Sequence, residues 1–238
     1  MSQWAAKRFW DQARAVETDA GFSVHLDARA VRTPAKAAFI LPTLAMAQAA
    51  ADEWQAQKGR VRPETMPVTR AANSAIDKVT PLHTAVVAEV AGFGGTDLLC
   101  YRAIYPQALI DRQAAAWDPV LSWAVQALNA PLTVTAGVIP VAQPEDSLAS
   151  LTARVSALDP FRLMALHDLV AISGSLLLGL AVTSGDLPAD TAWHACRIDE
   201  NWQAEQWGVD EDAAALQELR RTAFLQADRF YALCGEQF

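Results

Sequence analysis

The chain has 238 residues, 52% of them hydrophobic and 19% charged, with a net charge of −8. That is long enough for one large domain or two smaller ones with real cores, and it excludes a disordered chain. Every lysine lies before residue 81, so residues 1–80 balance at +3 and residues 81–238 at −11. This shift predicts two domains and argues against a nucleic-acid footprint on the larger part.

Residues 4–42 read as β-structure. Val16, Phe22, Val24, Leu26 and Val31 alternate with polar residues, and Asp19-Ala20-Gly21 and Leu26-Asp27-Ala28-Arg29 have turn chemistry. Pro34 and Pro42 stop the strands because proline supplies no ladder donor. A helix is expected from Thr43, as N-cap, to about Gln57, with Leu44, Ala47, Ala51 and Trp54 on its apolar side. Residues 60–80 read as an irregular junction with Pro63, Pro67 and an Ala-rich segment that fits a short helix. Pro81 is placed to open a helix running to Ala91 and ending at Gly92-Phe93-Gly94-Gly95.

Leu98–Arg102 fits either a helical turn or a short strand, and residues 107–128 form an amphipathic helix that Pro119 would kink or split. Thr133–Val141 alternates as a lone strand or extended link. Helices follow at about 144–157, 160–183, 188–208 and 210–234, and Gly174 and Gly179 would let a neighbouring helix approach closely. The expected architecture is α+β: a small β-rich N-terminal domain, residues 1–80, followed by a larger all-α C-terminal domain, residues 81–238.

The three cysteines, Cys100, Cys196 and Cys234, are odd in number and widely spaced, which predicts free thiols in a reducing compartment. The N-terminus has no secretory signal pattern. The uncharged run from Leu169 to Ser184 is short for a membrane span and reads as a buried core helix. The chain is therefore expected to be soluble and cytoplasmic, without membrane insertion.

Known chemistries find little support. Gly92-Phe93-Gly94-Gly95 lacks a following lysine and reads as a helix stop, not a phosphate loop. His194 and Cys196 are two residues apart, about 200° around a helix, and cannot share one metal ion there. No Gly-x-Ser-x-Gly elbow is present. Cys100, with Arg102 nearby, and the pair His167-Asp168 are the remaining nucleophile and base candidates. They leave a carboxylate- or cysteine-dependent hydrolase as the alternative to a binding protein. No cofactor or metal is implied.

The stretch Trp193–Asp212 stands apart. It holds three of the eight tryptophans, six acids and the base Arg197. As one helix it would set Trp193 and Trp207 about 40° apart with Glu200 between them, and Trp202 on the opposite side flanked by Glu205. Either its carboxylates are paired internally, with Arg162, Arg220 or Arg221 as partners for Glu200, or the face receives a basic, apolar partner.

Arg197-Ile198-Asp199-Glu200, Trp202-Gln203 and Trp207-Gly208 resemble the signature of the ATP synthase assembly chaperones that receive the alpha subunit of the F(1) catalytic head. Lys7-Arg8-Phe9-Trp10, Gly21-Phe22, Leu26-Asp27-Ala28-Arg29, Glu53-Trp54, Thr96–Arg102, Trp117-Asp118-Pro119 and Glu218-Leu219-Arg220 agree in order. The resemblance implies a non-enzymatic chaperone, a bacterial relative acting as a monomer in the cytoplasm. Such a protein binds the unassembled alpha subunit and shields its apolar interface until the beta subunit replaces it. The partner-binding residues expected on that reading are Glu200, Glu205, Trp202 and Trp207, with Asp97 and Arg102 as further candidates.

Overall fold

Two tight turns build the N-terminal sheet. Strand β1 (Ala13–Thr18) runs antiparallel to β2 (Gly21–Leu26) with Thr18 opposite Gly21, so Asp19-Ala20 is the connecting loop. Gly21 sits at φ +133, and a Cβ there would come within 2.7 Å of the Leu41 carbonyl oxygen; only glycine fits. Strand β3 (Arg29–Ala30) pairs with the end of β2 through the two-residue loop Asp27-Ala28, and β4 (Ile40–Leu41) pairs with its start. Asp27 takes a left-handed conformation at φ 53, and its carboxylate accepts from the Asp11 and Gln12 backbone N–H groups. The computed structural model describes residues 7–208 and 210–235, so residues 4–6 of the expected β-region lie outside the described residues. Val24, Leu26 and Val31 point into the core, whereas Val16 and Phe22 are half-buried.

Helix α1 (Leu44–Gln55) starts where the sequence places it, with the Thr43 hydroxyl accepting from the Met46 N–H at 3.1 Å. Its buried face is Met46, Ala47, Ala50 and Ala51; Leu44, expected on that face, is the first residue of the helix and is 54% exposed. The stretch 60–80, expected to be irregular apart from a short Ala-rich helix, is helical over most of its length. A single 3₁₀ turn, Pro63–Thr65, leads into α2 (Pro67–Ser74) and a π-helical turn, Ala75–Val79. The α2 N-terminus is capped from a distance: both Glu53 carboxylate oxygens accept, from Val68 N–H at 2.7 Å and Thr69 N–H at 2.8 Å.

The described residues fall into two compact units. One contains the chain up to His83, the segment Asp159–Ala165 and the residues from Arg229 onward; the other contains Thr84–Leu158 and Leu166–Asp228. In the first, the sheet and α1 close over a core that also takes in Ala165, Phe230 and Cys234.

The second unit is helical apart from one small sheet. Helix α3 (His83–Gly92) begins two residues after Pro81 and gives way to a 3₁₀ turn, Phe93–Thr96. Leu98–Arg102 realises both of its readings in succession, a 3₁₀ turn at Leu98–Cys100 and then strand β5 (Tyr101–Arg102). Helix α4 (Gln107–Leu128) continues through Pro119 without splitting. Strand β6 (Thr135–Ala136) is not alone, since it pairs in parallel with β5. Helix α5 (Glu145–Ser156) follows.

Two expected long helices are each cut in two. Residues 160–183 form α6 (Pro160–Ser173) and α7 (Leu176–Thr183), separated by Gly174 at φ +74 and restarted by Ser175, whose hydroxyl accepts from Leu178 N–H. Residues 188–208 form α8 (Ala189–Cys196) and α9 (Ile198–Trp207), with Arg197 between them at φ −112, ψ 14. Helix α10 (Glu211–Leu233) ends the described chain, and Asp210 caps it by accepting from Ala213 N–H at 2.9 Å. Gly179 does what its size suggests: a Cβ there would lie 2.8 Å from Val170 Cγ2 and 3.0 Å from Leu166 Cδ1, so α7 packs directly on α6. The fold is α+β. Among the described residues no helix is long and apolar enough to cross a membrane.

Candidate functional site

The break at Arg197 changes what the aromatic, acidic stretch presents. Trp193 and Trp207 no longer share a helical face. Trp193, on α8, is 5% exposed and packs with its ring centroid 5.9 Å from that of Phe224. Trp207, the last residue of α9, is 79% exposed. One indole belongs to the core and the other to the surface.

The acids on α9 have cationic partners close at hand. Glu200 meets neither Arg220 nor Arg221; its Oε1 lies 2.7 Å from Nη1 of Arg197, three residues back. The Arg197 guanidinium also covers the Trp193 ring, 5.8 Å from its centroid. Glu205 pairs with Arg112 of α4 at 2.7 Å, and that hydrogen bond holds its carboxyl below the usual carboxylate range. The same guanidinium stacks over Trp202 at 4.9 Å, so Arg112 clamps an acid and an indole of α9 together. Asp199 accepts from Gln113 at 2.6 Å, while Gln113 Oε1 accepts from Ala103 N–H. Beneath these contacts the Trp117 indole donates to the Ala195 carbonyl at 2.8 Å, tying α4 to α8.

Arg112 and Gln113 thus organise the site from α4, a helix in which the sequence shows only an amphipathic pattern. The available signal was scarcity: residues 81–238 contain only eight basic side chains against 19 acids, so each arginine there has a high chance of being engaged.

Asp97 and Arg102, expected on a binding face, are internal ties of the second unit. Asp97 is fully buried, and its carboxylate accepts from Ser175 Oγ at 2.7 Å, Leu99 N–H at 3.0 Å and Leu177 N–H at 3.0 Å. Burial outweighs those donors and pushes its pKa up to about 6. Arg102 donates to the Leu99 carbonyl and to Asp118, and its guanidinium lies 5.1 Å over Trp117. Both side chains are committed to these internal partners, and moving either would orphan buried groups.

Cys100, Cys196 and Cys234 are free and buried, and burial pushes each thiol up to about 12, far from a thiolate at neutral pH. The side chain of His167 is 31% exposed, with Nδ1 3.1 Å from Asp168 and Nε2 3.8 Å from Glu89; these carboxylates raise its pKa. Adjacent residues on one helix therefore do meet, but no nucleophile joins them among the described contacts. Trp54 is half-buried and stands edge-on to Trp10 at 5.4 Å, fastening α1 to the N-terminal segment.

The described residues thus combine thiols sealed in the core with an acidic helix that ends in an exposed indole. The chain belongs to the ATP12 chaperone protein family, whose sequence model matches residues 7–125. The crystal structure of Atp12 from Paracoccus denitrificans is 50% identical, with a TM-score of 0.95, over 98% of this chain and all of that one. An aspartate-to-lysine mutant of the P. denitrificans protein matches equally well. A protein of Agrobacterium tumefaciens described as a candidate chaperone is 38% identical, with a TM-score of 0.91, over 95% of this chain and 85% of that one.

Proposed function

We propose that the chain is a non-enzymatic chaperone for assembly of the ATP synthase F(1) catalytic head. It binds the unassembled alpha subunit and shields that subunit's apolar interface until the beta subunit replaces it. The observation that carries this reading is the full-length 50% identity to the Paracoccus Atp12. The surface supports it: an orphan subunit exposes an apolar patch prone to aggregation, and a shield for it needs an accessible aromatic anchor with charges that select the partner. Trp207 supplies the anchor, and Trp202, Glu200 and Glu205 frame it on α9. The −11 balance of residues 81–238 favours a basic partner surface. On this reading the protein acts as a monomer in the cytoplasm, and residues 81–238 serve as the capturing domain while residues 1–80 form the other.

The test mixes the purified chain with isolated alpha subunit at low salt. A one-to-one complex should co-elute in gel filtration and dissolve when beta subunit is added; independent elution sinks the proposal. Glu205→Lys should weaken capture while the circular dichroism spectrum stays that of the parent, because the pair with Arg112 is exposed.

A further inference from the structure

The first unit carries a feature unrelated to the acidic face of α9. An open cleft of about 280 Å³ is lined by Phe9, Trp10, Leu26, Val31 and Trp54, with Arg29 and Arg32 also in its wall. The aromatic side is continuous: Phe9 and Trp10 meet edge-on at 5.3 Å, and Trp10 and Trp54 at 5.4 Å. Phe9 is 60% exposed, and the Arg29 guanidinium holds it from above, 5.5 Å from the ring centroid. Among the described residues the strand beside the cleft, β3, pairs with β2 alone, and none of them places a strand on its other edge.

The charges there are uncompensated. Arg62, Arg102, Arg112, Arg162, Arg197 and Arg221 have carboxylate partners. Arg29 and Arg32 have none among the described residues, although the chain is acidic overall. Arg32 donates to the Lys36 carbonyl. The acid nearest Arg29 in sequence, Asp27, spends its oxygens on two backbone N–H groups. Arg8 is consumed by the carbonyls of Trp10, Asp11, Gln55 and Gln57.

We propose that this cleft binds an extended peptide segment of a partner protein in which one aliphatic or aromatic side chain stands next to an aspartate or glutamate. The apolar wall removes that side chain from water. The two guanidiniums receive the neighbouring carboxylate, for which their fork of donors is suited. The free β3 edge offers backbone groups to an extended chain. The preference is opposite to that of the α9 surface, and it stands independently of the identity of any client.

The experiment titrates the ¹⁵N-labelled full chain with three terminally blocked dodecapeptides. One has a central leucine flanked by aspartates, one has the same leucine flanked by lysines, and one keeps the aspartates but replaces leucine with serine. The readouts are the indole N–H resonances of Trp10 and Trp54 and the Nε–H resonances of Arg29 and Arg32. The Asp-Leu-Asp peptide should shift these saturably, the lysine peptide should bind about tenfold more weakly, and the serine peptide should not saturate. Because Arg29 and Arg32 are both exposed, the double variant Arg29→Glu, Arg32→Glu should keep its spectrum dispersed and reverse the ranking of the charged peptides. Absence of saturation at millimolar peptide, equal binding of the two charged peptides, or shifts confined to Trp202 and Trp207 would overturn the proposal. So would shifts that grow with protein concentration alone, which would make the occupant a second copy of this chain. No ATP synthase subunit enters this titration, so its failure and the failure of the alpha-subunit reading are told apart.

Discussion

Replacing Asp97 with asparagine separates two opposing effects that the structure sets against each other. The buried carboxylate accepts three hydrogen bonds, which favour its charged form, yet desolvation wins and its pKa rises from 3.8 to about 6. An acid with a raised folded-state pKa holds its proton more tightly when folded. Stability therefore falls as pH rises from about 4 through 6, and the cost of the buried charge is fully present above that window. At about 1.4 kcal/mol per unit the cost is about 3 kcal/mol. Asparagine removes the charge but turns an NH₂ toward one of the three donors; if Oδ1 is kept for Ser175 and Leu99, the donor left facing it is Leu177 N–H. An orphaned buried N–H costs about 1–3 kcal/mol. Wild type should thus be the more stable at pH 4.5, and the gap should shrink or invert by pH 7.5. Urea unfolding followed by far-ultraviolet circular dichroism at four pH values measures this. His167, whose pKa the Asp168 and Glu89 carboxylates raise, stabilises the folded state below its ordinary value and loses that contribution as pH rises above it, so the wild-type-minus-variant difference is the quantity to plot. A gap that stays constant from pH 4.5 to 7.5 would mean that the three donors at least match burial and would refute the reasoning.

Gly179→Ala drives a methyl group to 2.8 Å from Val170 and 3.0 Å from Leu166, which should cost about 1–3 kcal/mol and lower the melting temperature by several degrees; an unchanged melt would show that α6 and α7 yield easily. All three thiols are buried and held protonated, so iodoacetamide at pH 8 should leave the native chain unlabelled and modify three sites in urea. Labelling of Cys100 in the native chain would reopen cysteine chemistry. Trp193→Ala should destabilise by about 3–5 kcal/mol, whereas Trp207→Ala should leave the thermal melt in place and reduce only the capture of a partner. Equal melting shifts for the two variants would contradict the division of the stretch at Arg197.

Much of the N-terminal sheet was legible because its signals are local. Two-residue loops, glycine at positive φ and a threonine cap act within four residues, and each forms as its sequence suggests. The helix breaks were half legible. In the sequence Gly174 reads as a small packing residue, whereas in the fold it makes the left-handed turn that lets Ser175 restart the helix. Arg197 carries no breaking signal at all: arginine is a good helix former, and it leaves helical geometry where its guanidinium reaches both the Trp193 ring and Glu200. That is a tertiary decision, invisible to periodicity. The burial of Asp97 is hidden from the sequence for the same reason, since its three donors come from residues 99, 175 and 177 and only the first is near in sequence.

The break also relocates the charge that a partner would meet. With one unbroken helix, Glu200 and Glu205 were the natural choice for electrostatic selection. In the fold each is held by an arginine, Arg197 or Arg112, so each contributes little net charge at distance. The acids that follow, Asp210, Glu211 and Asp212, are exposed and have no cationic side chain paired with them among the described residues. They sit at the N-terminus of α10, where the helix itself favours negative charge and so tolerates the cluster without neutralising it fully. They also come within five residues of Trp207 along the chain, with Leu216 and Leu219 exposed further along α10. If selection and anchoring are to be separable functions, this segment divides them more cleanly than α9 does: an unpaired acidic turn after a solvent-facing indole, with the arginine-clamped carboxylates of α9 fixing the helix that presents it.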